Sequence, residues 1–401
     1  MFNARLPYVV AATLVALLSY SACASAPTSE PEPTAETNSE YFGLPAIQME
    51  NDVFELQILA TGGPFVSFVL KADEERLNPL WAPLREAFEA GEPAQPGRYG
   101  GHFVCVDGFG GVSDEEREAG LGNHGEAYRL PWETIASTKE GTVASLVQSV
   151  ELPIVQETLR RTVRIVDGEN VVYVNSSLES HLGFDRPINW AEHATIGSPF
   201  LEPGVTVVDM SANRALTRPY KAPETAARRH RITSGEEFEW PMAPTVEGGT
   251  VDLRAAPMEL GSGDHTGHLM TPSGDKAWVT ALHPGKRLLL GYIFNTSEFP
   301  WMQTWESYPA EGMLARGLEF GTQAFDLPRR TVISDGKLFD TPLYQWLPAK
   351  STFETSFIMF LTEVPEGFAG VGAVTVADGT ITIVDASGEQ TLSLAASLTS
   401  D

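Results

Sequence analysis

The chain has 401 residues, with 53 Asp and Glu against 27 Lys and Arg and a formal charge of −26. A surface that negative repels phosphate backbones, so nucleic acid is excluded as a partner, and highly anionic substrates are disfavoured unless a local basic pocket overrides the field. Two cysteines, Cys23 and Cys105, offer no disulfide framework.

Arg5 precedes an apolar run from Tyr8 to Leu18, and Ser21 and Ala22 then lead to Cys23. A charged start, a short apolar stretch and a small-residue cleavage site predict a removable signal peptide over 1–22. The run is shorter than the roughly 20 residues a helix needs to cross a bilayer. Cys23 resembles a lipidation site, although Tyr20 stands where leucine is usual. A lipidated Cys23 would anchor the mature protein to a membrane, with simple secretion as the alternative. Both predict an exported protein, periplasmic or at the cell surface. Residues 23–42, rich in Ser, Thr, Pro, Glu and Ala, read as a disordered tether. Residues 43–400 read as one domain.

Within that domain β-prone runs separated by Gly and Pro follow one another. Strands are predicted at 53–59, 65–71 and 143–154. Residues 162–166 and 171–174 form a hairpin about Asp167-Gly168-Glu169-Asn170. Further strands fall at 277–282, 288–295 and 353–361, and the tail at 373–376, 379–384 and 390–394 reads as a meander closing the sheet. The one helical pattern spans 79–90. The expectation is an all-β double-sheet architecture. Cys105, inside the run Phe103-Val104-Cys105-Val106, reads as a small buried hydrophobe.

Four segments carry more polar groups than ordinary loops: 98–132, 189–201, 263–268 and 300–323. Gly100, Gly101, Phe109, Gly110, His124, Gly125, Ala127 and Trp132 in the first resemble the paired motifs of the galactose mutarotase-like (aldose 1-epimerase) superfamily, closest to its hexose-6-phosphate mutarotase branch. His193, in Glu-His-x-x-Ile-Gly-x-Pro-Phe, is similar to that family's second histidine. Gly317-Leu318-Glu319 with Thr322-Gln323 resembles the segment holding its catalytic glutamate. The resemblance implies a β-supersandwich and a mutarotase, with Glu319 as the base on the anomeric hydroxyl and His193 as the acid on the ring oxygen. It implies sugar-holding roles for His124 and Asp264, and Trp301 and Trp305 as aromatic platforms. Arg98, His102, Arg129 and Gln303 complete the candidate binding set.

The phosphosugar branch has an arginine where Tyr99 stands, with Arg98 one place back, and another where Tyr128 stands, with Arg129 one place on. Phosphate needs charge-assisted forks at fixed geometry, so a neutral or mildly modified mono- or oligosaccharide is expected. Each residue also has a plainer reading: a satisfied core histidine for His193, a surface strand residue for Glu319, core tryptophans for Trp301 and Trp305. Asp264, His265 and His268 sit close enough to suggest a metal site, but Gly263 and Gly267 indicate a loop, and no His-Glu-x-x-His helix is present. No metal or other cofactor is expected. Two other functions compete: a non-catalytic carbohydrate-binding lipoprotein, and a glycoside hydrolase or polysaccharide lyase on the same fold.

Overall fold

A computed structural model describes Met1 and residues 35–94, 97–220 and 229–399. Residues 2–34, which carry most of the predicted signal peptide and Cys23, lie outside the described residues.

Strand alternation builds two antiparallel sheets. Val143–Leu152 buries every second side chain; Glu157–Val166 pairs with it along its length, and Val171–Ser180 pairs with the other edge of Glu157–Val166. These strands belong to an eight-stranded sheet in the order Val207–Met210, Lys276–His283, Leu288–Asn295, Thr352–Glu363, Val171–Ser180, Glu157–Val166, Val143–Leu152, Glu133–Glu140. The second sheet has twelve strands. Its middle runs through Phe65–Leu70, His102–Val106, Trp190–Gly197, the pair Ala315–Gly317 and Glu319–Gly321, then Trp301–Ser307, His265–Met270 and Ala212–Thr217.

Apolar side chains from both sheets fill the space between them, among them Phe54, Phe68, Leu146, Leu159, Trp190 and Phe357. Phe294 of the smaller sheet stacks on Phe320 of the larger, with ring centroids 4.4 Å apart and planes 4° from parallel. A buried charged cluster interrupts this core. Glu192 accepts from Arg161 Nη2 at 2.5 Å and Trp190 Nε1 at 3.0 Å, and its other oxygen meets His102 Nε2 at 3.0 Å. Arg161 comes from the smaller sheet, so the ion pair ties the sheets together at the strand that bears His193.

The structure corrects several boundaries. Residues 35–41, assigned to the tether, form the strand Ala35–Tyr41 on the edge of the larger sheet. Backbone pairing along an edge needs no apolar side chains, so composition did not show it. The helix begins at Pro83 rather than 79, because Leu80 bridges Ile196 and Trp81 N–H donates to the Thr195 carbonyl. The tail meander does not close a sheet. Its strands Val371–Ala377, Thr380–Asp385 and Thr391–Ala395 form a separate three-stranded sheet. Val374, Ile381, Ile383 and Leu394 cover Tyr173, Trp278, Ile293 and Phe360 on the outer face of the eight-stranded sheet.

Removing one partner of a buried ion pair strands the other without compensation. Glu192→Ala is therefore expected to cost about 3–5 kcal/mol of stability, read as a lowered guanidinium midpoint. A loss below about 1 kcal/mol, the size of an exposed pair, would show that the sheets do not depend on this contact.

Candidate active site

The polar segments 189–201, 263–268 and 300–323 lie largely on strands of the larger sheet, and 98–132 supplies its strand His102–Val106. His193 lies opposite Phe103, Gln303 opposite Glu319, and Gly267 opposite Gln303. The pairings Ala191 with Gly321 and Thr195 with Gly317 share one register, which sets Glu319 opposite His193. Five strands thus deliver Phe103, His193, Glu319, Gln303 and Gly267 as one lateral row. Side chains alternate along a strand, so Glu192 and His102 face the core while His193 faces the other way.

His193 Nε2 lies 3.2 Å from Glu319 Oε1. Gln303 Nε2 donates to Glu319 Oε2 at 2.5 Å, and Gln303 Oε1 accepts from the backbone N–H of Asp326 at 2.7 Å. Gly317 leaves the space the carboxyl occupies, since a Cβ there would sit 2.2 Å from Glu319 Oε1. The imidazole is held in a column of rings: Tyr128 stacks on Phe103 at 3.8 Å and Phe103 on His193 at 4.2 Å. Tyr128 is fixed in turn by the Tyr99 N–H, which donates to its hydroxyl at 2.8 Å.

Burial sets the protonation of the pair. It pushes the Glu319 carboxyl up to about 8, against smaller opposing effects of the Gln303 hydrogen bond and the Arg218 charge. It holds the His193 imidazole well below its usual range, with His124 adding to the effect. At neutral pH the carboxyl is therefore protonated and the imidazole neutral. The contact of His193 Nδ1 with Thr195 Oγ1 at 3.0 Å agrees: an Nδ1–H donating there leaves Nε2 as an acceptor facing the protonated carboxyl.

His124 stands edge-on to His193 with centroids 5.1 Å apart, on backbone of positive φ (67°). Burial, aided by Arg129, lowers its pKa to about 4. Gly110 N–H points at its Nδ1 at 3.4 Å, as does Cys105 Sγ at 3.4 Å. With Nδ1 accepting, the ring proton lies on Nε2 and makes His124 a donor. Trp305 is half-buried, its ring 6.5 Å from that of His193.

The other predicted residues lie elsewhere. His102 is fully buried between the sheets against Phe65, Tyr292 and Phe357, committed to Glu192. Asp264 is taken up by Arg231, whose Nε donates to it at 2.7 Å and whose Nη2 donates to Glu306 at 2.5 Å. Trp301 is buried beneath Phe325, Val332 and Leu343, its indole N–H on the Pro342 carbonyl at 2.8 Å, so it offers no platform. Arg98 and Arg129 are exposed, whereas Tyr99 and Tyr128, at the positions arginine holds in the phosphosugar branch, are buried. His265–Met270 is a strand rather than a loop, and His265 and His268, three apart, point to opposite faces.

Three residues of the site, Arg218, Phe103 and Thr195, were not foreseen. Arg218 is mostly buried, ion-paired with Asp326, and its Nη2 donates to the Asp326 carbonyl at 3.2 Å. Burial lowers the Arg218 pKa as it raises that of Glu319, and the attraction between the two charges offsets only a small part of each shift. Nothing in the Thr217-Arg218-Pro219-Tyr220 stretch distinguishes that arginine from a surface one. Phe103 and Thr195 could have been found by carrying the strand alternation through His193.

No family profile matches the sequence, and no curated protein matches it. Solved structures do. The Slr1438 protein of Synechocystis sp. PCC 6803 superposes with a TM-score of 0.55 at 14% identity, covering 82% of this chain and 98% of its own. A galactose mutarotase-like protein of Clostridium acetobutylicum gives 0.54 at 12% identity, covering 84% and 99%. A candidate aldose 1-epimerase of Klebsiella pneumoniae gives 0.55 at 11%, covering 82% of each chain. The chain has the galactose mutarotase-like β-sandwich fold.

A carboxyl that holds its proton more tightly folded than unfolded lowers stability as pH rises from the ordinary glutamate value of 4.5 to about 8. Glu319→Gln removes that penalty. Its melting temperature relative to the parent is expected to rise between pH 4 and pH 8; a difference flat across that range would mean Glu319 ionises normally.

Proposed function

We propose that the protein interconverts the anomers of a neutral reducing sugar by general acid/base catalysis, as an aldose 1-epimerase does. The contact that carries this is the 3.2 Å approach of His193 Nε2 to Glu319 Oε1. Ring opening takes a proton from the anomeric hydroxyl and gives one to the ring oxygen. Both oxygens are bonded to C1, so the acid and the base must be neighbours, and together they must hold one proton. A carboxyl and an imidazole sharing a single proton meet both conditions. Either can start the exchange: with the proton passed to His193, Glu319 is the base on the hydroxyl and His193 the acid on the ring oxygen, as the family resemblance has it. C1 then rotates, and the reverse transfers close the ring on its other face. His124 Nε2–H donates to a ring or neighbouring oxygen, Gln303 steers the carboxyl, and Trp305 offers its ring to the C–H face of the sugar.

Among the described residues the Glu319 carboxyl accepts from an amide and has an imidazole nitrogen 3.2 Å away, a set suited to proton exchange rather than to a hydrolase's paired carboxyls. The apolar leader and Cys23 support action outside the cytoplasm, on a lipid anchor if Cys23 is modified.

Polarimetry of freshly dissolved α-glucose or α-galactose tests this. The protein is expected to speed equilibration, and Glu319→Gln or His193→Gln to reduce kcat by about 10²–10⁴. The rate should fall as pH rises through about 8, where the pair loses its proton and nothing is left to protonate the ring oxygen. Sugar binding with anomerisation at the buffer rate would leave a carbohydrate-binding protein instead.

A further inference from the structure

From the catalytic row a track of aromatic groups leads outward. Trp305 stands 6.5 Å from His193 by ring centroids and meets Trp81 edge-on at 5.9 Å. Trp81 is not a chance surface residue. Its N–H donates to the Thr195 carbonyl at 2.9 Å, and its carbonyl accepts from Gly101 at 2.7 Å, so its backbone is fixed between two central strands. Its ring lies over Gly197, where a Cβ would be 2.8 Å from Trp81 Cδ1. Gly197 continues the alternate face that carries His193 and Thr195, so Trp81 and the catalytic imidazole stand on one surface of the sheet.

Beyond Trp81 the surface opens into a hollow of about 400 Å³, lined by Trp81, Pro83, Glu86, Ala87, Glu92 and Arg98. That volume lies within the range of small-molecule sites. The lining joins one large aromatic side chain to two carboxylates and a guanidinium, groups that between them offer a C–H-binding surface and both acceptors and donors for hydroxyls. Two acids against one base make the hollow unfriendly to anionic units, as does the protein's charge of −26.

We propose that the substrate is a neutral oligosaccharide with a free reducing end. Its terminal ring sits at His193 and Glu319, and the next units run over Trp305 and Trp81 into this hollow. The inference rests on the mutarotase reading for the terminal ring. The acid/base pair engages only C1, its hydroxyl and the ring oxygen, so the far side of that ring is where further units attach. The track and the hollow supply a place for them that a monosaccharide enzyme does not need.

The test compares anomer equilibration of glucose, maltotriose and cellotriose by proton NMR. One of the two trisaccharides is expected to exceed glucose in kcat/KM by about tenfold, the effect of one good stacking contact. Ala87→Trp, and separately Glu86→Trp, fill the hollow from the helix and should return that ratio to near one. A ratio near one in the parent for both trisaccharides, or one unaltered by both variants, overturns the proposal. Calorimetric titration of the same sugars into Glu319→Gln separates this from a failure of the catalytic reading. If no sugar is anomerised but a trisaccharide binds more tightly than glucose, and Ala87→Trp removes the difference, the hollow stands and mutarotation falls. If glucose is anomerised and length matters in neither assay, the hollow falls and mutarotation stands.

Discussion

Everything at the site depends on one backbone constraint, the shared register of the strands Trp190–Gly197, Glu319–Gly321 and Trp301–Ser307. A slip of a single residue would turn Glu319 into the core and bring Phe320 to the outer face, because side chains alternate with a period of two. The register is therefore protected by burial. Phe320 stacks on Phe294, and an error would expose that ring while placing a carboxyl among phenylalanines. The chemistry of the outer face is specified by the packing of the inner one.

The strand of His193 is pinned from both sides. On the outer face the column of Tyr128 and Phe103 sets the plane of the imidazole. On the inner face its neighbour Glu192 is held by Arg161, His102 and Trp190. A buried ion pair is a poor way to gain stability, since desolvation consumes most of the attraction. It is a good way to fix position: Glu192 meets Arg161 across the two sheets in one alignment, and that alignment places the row of His193 and Glu319. Desolvation does a second task outside the core. The same exclusion of water that raises the Glu319 carboxyl depresses His193, which reverses their ordinary order of acidity and leaves the proton on the carboxyl.

Much of this was legible from the chain. The hairpin at 162–174, the strands at 288–295 and 353–361, and the double-sheet class follow from alternation and turn residues, which are local signals. His193, Glu319 and Gln303 were singled out, and they meet in one row. Other residues were misplaced for a common reason. His102 and Asp264 sit in polar segments and look like site residues, yet each is committed to a partner distant in sequence, Glu192 for one and Arg231 for the other. Trp301 and Trp305 are two turns of the same alternation and share a face. What separates them is that Phe325, Val332 and Leu343 cover the first and not the second. Which tryptophan stays open is decided by chain 20 or more residues downstream, and no local pattern carries that information. Arg218 escaped for the same reason, its partner Asp326 lying far along the chain.

The arginines that the sequence displaces bear on what the site can hold. Both displaced guanidiniums stand outside the site's interior. Tyr99 and Tyr128 are buried against each other, edge to face at 5.6 Å, while Arg98 and Arg129 stand exposed. Tyr128 is not an idle replacement, because its ring is the base of the stack that aligns His193. An arginine there would put an uncompensated charge beneath a neutral imidazole and push its pKa lower still. The Arg218 guanidinium, whose charge acts on Glu319, is already balanced by Asp326. A pocket whose polar groups are neutral imidazoles, an amide, a protonated carboxyl and a closed ion pair does not offer a phosphate dianion the guanidinium forks it needs. It has donors and acceptors for hydroxyls, which is the electrostatic ground on which the proposed substrate is a neutral sugar.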